Sequence, residues 1–228
     1  MITLYAFGRV HPGMIGEGRD LRAQWALEET GLPYRVHALD YIAGELDAPA
    51  YGRLSCFHQV PVIDDDGFIV GESGAVLLYI AEKAGKLIPA DFAGRTRVVQ
   101  WCFAALATVE RPLFEIQMID GGMGGEGARE RRAALVKEAG RRALPGLERR
   151  LEGREWIACE AFTVADILLA TVLRQVRHTD LIEPYPRLQA YYARALARPA
   201  WQRTLSLCAE RQGAAPRLLS NHDGGITS

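Results

Sequence analysis

Residues 59–73 read QVPVIDDDGFIVGES, and the reading of this stretch decides the first third of the chain. Val60, Val62 and Ile63 form an apolar run of strand character, yet Pro61 stands inside it, and proline has no N–H for a sheet ladder. A strand start is a natural place for a cis X–Pro bond, so Val60–Pro61 is expected to be cis, with the N–H and C=O of Val60 aimed outward. Those groups are then free to pair with an extended peptide, as an added strand would. Asp66-Gly67 is the dipeptide of a tight hairpin, which makes the two short strands antiparallel. Glu72 and Ser73 follow at the start of a helix, where first-turn N–H groups have no partners within the helix and attract a carboxylate. Ser73 adds a hydroxyl donor, and Glu72 can accept from an ammonium. The stretch describes a site for a zwitterionic peptide with a free amino-acid end.

Working outward, ITLYAF and YRVHAL read as strands, LRAQWALEETG as a helix stopped by Gly31, and SGAVLLYIAEKAG as a helix with Val76, Leu77, Ile80 and Ala84 on one face. With a short irregular helix in GELDAPAYGRL, the order is β-α-β-α-β-β-α. Beyond KLIPADFAG the strand pattern stops. Apolar residues at helical spacing predict a long helix over 95–118, bent locally at Pro112, and a second over 129–153 with most of its arginines on a solvated face. Thr163 and Asp166 have capping-box spacing ahead of a further apolar helix. The expected organisation is an α/β domain over 1–85, a linker over 86–94, an all-helical domain over 95–212 and a tail over 213–228 with little to bury.

Composition narrows the function. The 27 basic and 28 acidic residues leave no global field to hold nucleic acid or an anionic membrane. No run approaches the roughly 20 apolar residues of a membrane helix, and the start of the chain does not read as a signal peptide, so a cytoplasmic location is expected. The four cysteines, at 56, 102, 159 and 208, show neither CxxC nor metal-ligand spacing, so reduced thiols and no metal are expected. The glycine-rich GMIGEG and GGMGGEG lack the residues and spacing of phosphate loops and read as flexible connections.

Taken together, ITLYAFGR, LRAQWALEETGLPYRVHALD, QVPVIDDDGFIVGESGAVLLYIAEKAGKLIP and FTVADILLA resemble the cytosolic glutathione transferases, bacterial in type, over residues 1 to about 210. The resemblance implies a thioredoxin-like N-terminal domain, a helical C-terminal domain, a homodimer and a detoxification role. It also implies glutathione as co-substrate, its thiolate presented to a small apolar electrophile or a peroxide. Carried onto this chain, the glutathione contacts are Gln59, the Val60 main chain beside Pro61, Glu72 and Ser73. Trp101 and Met118 are candidates to line the acceptor pocket.

The chain departs from the family pattern where the thiol should be activated. Relatives place a Ser, Cys or Tyr between the first strand and first helix, whereas GRVHPGMIGEGRD, residues 8–20, is a lengthened loop without hydroxyl or thiol. Aligning on WALEE brings the usual serine near Gly18 or Asp20. Arg9, His11, Arg19 and Arg22 are then the cationic candidates for favouring a thiolate, with Arg19 and Arg22 nearest that position, and Asp20 would oppose one if it faced the sulfur; Asp20 also reads as the helix N-cap. Cys56 is read as buried and inert rather than as a redox nucleophile, and His58 either as a surface residue or as a peptide contact. Two functions therefore stand: a glutathione transferase, or a glutathione-binding module of the same fold with little or no catalysis.

Overall fold

The computed structural model describes residues 1–214, and the expected tail beyond Ala214 lies outside them. The described chain forms two compact units, one made of Met1–Lys86 with the segment from Arg198 onward, the other of Leu87–Ala197.

The first unit is built on a four-stranded sheet of β1 (Ile2–Phe7), β2 (Tyr34–Leu39), β3 (Val62–Asp65) and β4 (Phe68–Val70), in the order β2-β1-β3-β4. β1 runs parallel to β2 and antiparallel to β3, with Leu4 opposite both Val36 and Ile63. The hairpin between β3 and β4 turns on Asp66 (φ 53°) and Gly67 (φ 97°), both in the positive-φ region that this two-residue turn requires. Helices α1 (Asp20–Thr30), α2 (Pro49–Gly52) and α3 (Ser73–Ala84) connect the strands. Val76, Leu77 and Ile80 of α3 are buried, as the stripe in the sequence requires, while Ala84, expected on the same face, is only half-buried and Ala81 is buried in its place.

The first unit also contains the last helix, α10 (Pro199–Gln212), so the expected single helical domain over 95–212 is divided at Arg198. The physical cause lies on α1. Asp20, Gln24 and Glu28 recur every fourth residue and therefore share one face. Across from them Arg211 of α10 reaches Asp20 Oδ2 (3.1 Å) and Gln24 Oε1 (2.9 Å), and Arg203 reaches Glu28 Oε2 (3.0 Å). Arg198 closes the set on Glu29 (2.6 Å), and the Trp25 and Trp201 rings meet at 4.7 Å between centroids. Polar residues of α1 that would otherwise face water are thus covered, and Asp20, Arg22 and Gln24 are all buried.

The second unit contains α4 (Phe92–Phe103), α5 (Glu110–Met118), α6 (Ala128–Glu138), α7 (Leu144–Arg150), α8 (Val164–Arg174) and α9 (Pro186–Leu196). α4 begins inside the segment expected to be linker, because the Asp91 side chain caps it by accepting from Gly94 N–H (2.8 Å). α4 and α5 run on through a π-helical stretch, Ala104–Val109, just before Pro112, whose missing N–H disrupts regular i→i−4 bonding there. At the start of α8 the capping box is formed. Asp166 Oδ2 accepts from Thr163 N–H (2.8 Å) and Thr163 Oγ1 (2.9 Å), while Oδ1 accepts from Ile157 N–H (2.8 Å).

Candidate functional site

The hairpin register places the candidate residues at one end of the sheet. Ile63 pairs with Val70 and Tyr5 with Val62, so the chain entering β3, the chain leaving β4 and the chain leaving β1 converge there. Val60, Glu72–Ser73 and the loop beginning at Gly8 meet in this way although the sequence holds them far apart.

The Val60–Pro61 bond is cis. The Val60 side chain is buried in a cluster with Leu39, Leu46, Tyr51 and Val62, yet neither its main-chain N–H nor its C=O has a hydrogen-bond partner among the described residues. Near-buried main-chain groups are rarely left this way unless water or a ligand meets them. Gln59, by contrast, has its main chain fully engaged. Its C=O accepts from Tyr51 O–H (2.8 Å) and Ser55 O–H (3.1 Å), and its N–H donates to Ser55 Oγ (2.9 Å).

Glu72 is the N-cap of α3 and lies at φ 64°, ψ 117°, a backbone region that a residue with a Cβ holds at a cost of about 1–3 kcal/mol. Its side chain is exposed and makes no capping bond, so the first-turn N–H groups of α3 stay open to an external acceptor. Ser73 is buried, and its Oγ accepts from Arg22 Nη1 at 3.2 Å. That donation turns the Ser73 proton away from Arg22, leaving the hydroxyl to donate elsewhere. Arg22 lies 2 % exposed within α1, so the structure brings it to the serine that would hold a carboxylate.

Arg19, half-buried, occupies the N-cap position of α1 without a side-chain capping bond. Asp20 is the first helical residue rather than the cap, which corrects the simpler reading of RDLRAQW. Its carboxylate is drawn inward, 1 % exposed, to Arg211, for which it is the charged acceptor at 3.1 Å beside the neutral Phe7 O and Gln24 Oε1. Burial pushes the Asp20 carboxyl above its ordinary value, and the Arg211 guanidinium and the N–H groups of Asp20 and Phe7 only partly offset this. Asp20 Oδ1 has no partner, and a Cβ at Gly18 would collide with it and with the Phe7 ring. Gly18, one of the two positions near which the alignment on WALEE brings the usual serine, is therefore closed to a side chain as long as Asp20 and Phe7 keep these places.

Around these groups the remaining candidates are placed as follows. Cys56 is exposed, not buried, because Ser55 and Tyr51 turn inward while Phe57 beside it is 69 % exposed. His58, at φ 53°, bonds through Nδ1 to Leu46 O (2.6 Å). In the second unit one face of Trp101 is taken by the Arg150 guanidinium, 5.3 Å from the ring centroid, and Met118 closes α5 half-buried. A groove of about 440 Å³ lies along the edge strand β2, lined by its Tyr34, Val36 and Ala38 and by Leu207 and Arg211 of α10. Arg211 was missed by sequence reasoning, because its partner Asp20 is 191 residues away.

Comparison with known proteins finds relatives over most of the chain. The family model described as glutathione S-transferase, N-terminal domain, matches residues 13–82, and that described as glutathione S-transferase, C-terminal domain, matches residues 126–194. A glutathione transferase of Burkholderia graminis, solved with two glutathione molecules per subunit, is 30% identical, with a TM-score of 0.78 over 89% of this chain and 86% of its own. One from Pseudomonas putida, solved with one glutathione disulfide per subunit, is 28% identical, with a TM-score of 0.77 over 89% and 90%. Glutathione S-transferase D7 of Anopheles gambiae is 29% identical over 165 residues, 71% of this chain and 73% of its own.

Proposed function

Because the chain belongs to the glutathione transferase family, we propose that it binds glutathione at Val60, Glu72 and Ser73 and presents the thiolate to a small electrophilic or peroxide substrate. The observation that carries this reading is the pairing of two open sets of main-chain groups at one sheet end: those of Val60, and the uncapped first turn of α3. Val60 offers a donor and an acceptor to the cysteinyl segment. Ser73 and the first-turn N–H groups receive the γ-glutamyl carboxylate, the Glu72 carboxylate accepts from the ammonium, and Gln59 flanks the peptide. When bound, glutathione supplies the nucleophilic sulfur.

Bringing a thiol from a pKa of roughly 8.5 to about 6.5 takes about 2.7 kcal/mol. With position 18 closed to a hydroxyl, that stabilisation falls to the main-chain N–H groups where the loop meets α1 and to the Arg19 guanidinium. A hydrogen bond to a charged group is worth about 1.5–3 kcal/mol, so two such donors suffice. Asp20 does not oppose them at full strength, since Arg211 holds its charge in a pair. Arg22 acts instead through Ser73. Lacking a fixed hydroxyl, the site should conjugate aryl electrophiles slowly. The same closed position favours the alternative of a glutathione-binding module without turnover. A homodimer is the proposed assembly, tested by sedimentation.

Calorimetric titration with glutathione tests the binding, and the pH dependence of thiolate absorbance with turnover of aryl halides, epoxides and peroxides tests the chemistry. Saturable binding with a thiolate present at neutral pH is expected. Saturable binding with the thiol titrating near its free value and no turnover leaves the binding module; no saturable binding ends both readings.

A further inference from the structure

We propose that Tyr51 and Ser55 are positioning residues of this site, fixing the peptide plane between Gln59 and Val60 so that the Val60 N–H points at the bound peptide. The inference rests on the glutathione reading above and adds to it two residues that do not touch the ligand.

The argument follows from the geometry of a peptide unit. The Gln59 C=O and the Val60 N–H belong to one rigid trans plane and point in opposite directions. Anchoring the carbonyl oxygen therefore aims the N–H. Two hydroxyls anchor it, Tyr51 at 2.8 Å and Ser55 at 3.1 Å. Ser55 Oγ also accepts from Gln59 N–H at 2.9 Å, so one serine grips both main-chain groups of residue 59. The clamp is rigid in turn, because Tyr51 is 4 % and Ser55 9 % exposed, and the Tyr51 ring packs with Val60 and Val62 in the same apolar cluster. Burial keeps the Tyr51 hydroxyl protonated, its value held above the ordinary one, so it remains a donor. With the Val60 side chain also buried, the inward groups are all satisfied and the outward ones are all open. An unclamped plane could rotate its N–H away from the ligand, and binding would then have to restore the order.

The test compares two ligands on three proteins: wild type, Tyr51→Phe, and Tyr51→Phe with Ser55→Ala. Glutathione carries the cysteinyl carbonyl that would accept from Val60 N–H, whereas γ-glutamyl methylamide ends before that carbonyl and engages only the α3 end and, through its amide N–H, the Val60 C=O, which lies outside the clamped peptide plane. Dissociation constants come from calorimetry for glutathione and from ligand-observed NMR for the methylamide. Tyr51→Phe keeps the ring in its cluster, and should raise the glutathione constant about three- to tenfold, with a larger rise in the double variant and no change for the methylamide. A parallel weakening of both ligands would mean that the clamp only supports the fold, and an unchanged ratio in the double variant would mean that it aims nothing. Either result overturns the inference while leaving the glutathione reading intact. If wild-type protein fails to bind glutathione saturably, the reading falls and this inference with it.

Discussion

Arg211→Met should be among the most damaging single substitutions in the sheet unit. The guanidinium donates to Phe7 O (2.8 Å), Gln24 Oε1 (2.9 Å) and Asp20 Oδ2 (3.1 Å), and the Arg211 and Asp20 side chains are 9% and 1% exposed. Removing one partner of a buried ion pair costs about 3–5 kcal/mol, because the other charge stays behind without water. The stranded Phe7 carbonyl belongs to the same loss and is not added to it. Asp20→Asn removes the charge while leaving Arg211 two neutral acceptors, and should cost only about 1–3 kcal/mol. The double substitution should therefore cost less than the sum of the two.

The pH dependence of this loss has a defined sign. The folded-state pKa of Asp20 is already raised by burial, and without Arg211 it rises further. Above the ordinary value of 3.8 the native state then holds the proton more tightly than the unfolded state. Stability is lost as pH rises through the folded value. Relative to wild type, Arg211→Met should be most destabilised near neutral pH and recover as the pH falls toward 4. Urea unfolding from pH 7.5 to 4.5 measures this, with the tryptophan fluorescence of the Trp25–Trp201 pair as a probe inside the same unit. A loss below about 1 kcal/mol, independent of pH, would refute the assignment of Arg211 as the counterion of Asp20.

Three further outcomes are expected. Ser73→Ala should raise the glutathione dissociation constant about tenfold, as loss of a hydrogen bond to a charged group implies, and an unchanged calorimetric curve would count against Ser73 as a contact. Gly18→Ser should not supply the missing hydroxyl, because its side chain collides with Asp20 and Phe7; a lower melting temperature without faster conjugation is expected, and faster turnover would sink that view. Asp166→Ala strips acceptors from the Ile157 and Thr163 N–H groups and from the Thr163 and Tyr191 hydroxyls, and should destabilise the helical unit by about 3 kcal/mol or more in urea unfolding.

What the sequence made legible was local. The Asp66-Gly67 turn and the Thr163–Asp166 box each depend on residues no more than three apart, and their side-chain chemistry leaves few other conformations. Glu72 and Ser73 were legible as a helix start for the same reason. The strain at Glu72 was not, because a positive φ on a glutamate has no compositional sign. Asp20 looked like an N-cap because its neighbours along the chain favour one, and only a helix arriving from the far end supplies the cation that draws it inward. The matching stripes, 20, 24 and 28 on α1 against 203 and 211 on α10, are present in the sequence but acquire meaning only once the two helices are known to pack. Arg22 was singled out for its charge, and the structure gives it Ser73 as a partner instead of an open loop.

The central claim is that glutathione pairs with the Val60 main chain and the first turn of α3, and amide NMR titration tests it most directly. Adding glutathione to the labelled protein should shift the amide resonances of Val60, Ser73 and Gly74 along saturation curves with a single dissociation constant, leaving those of α8 unmoved. Saturating shifts that bypass Val60 and Ser73, or no saturable shift at all, would contradict the account.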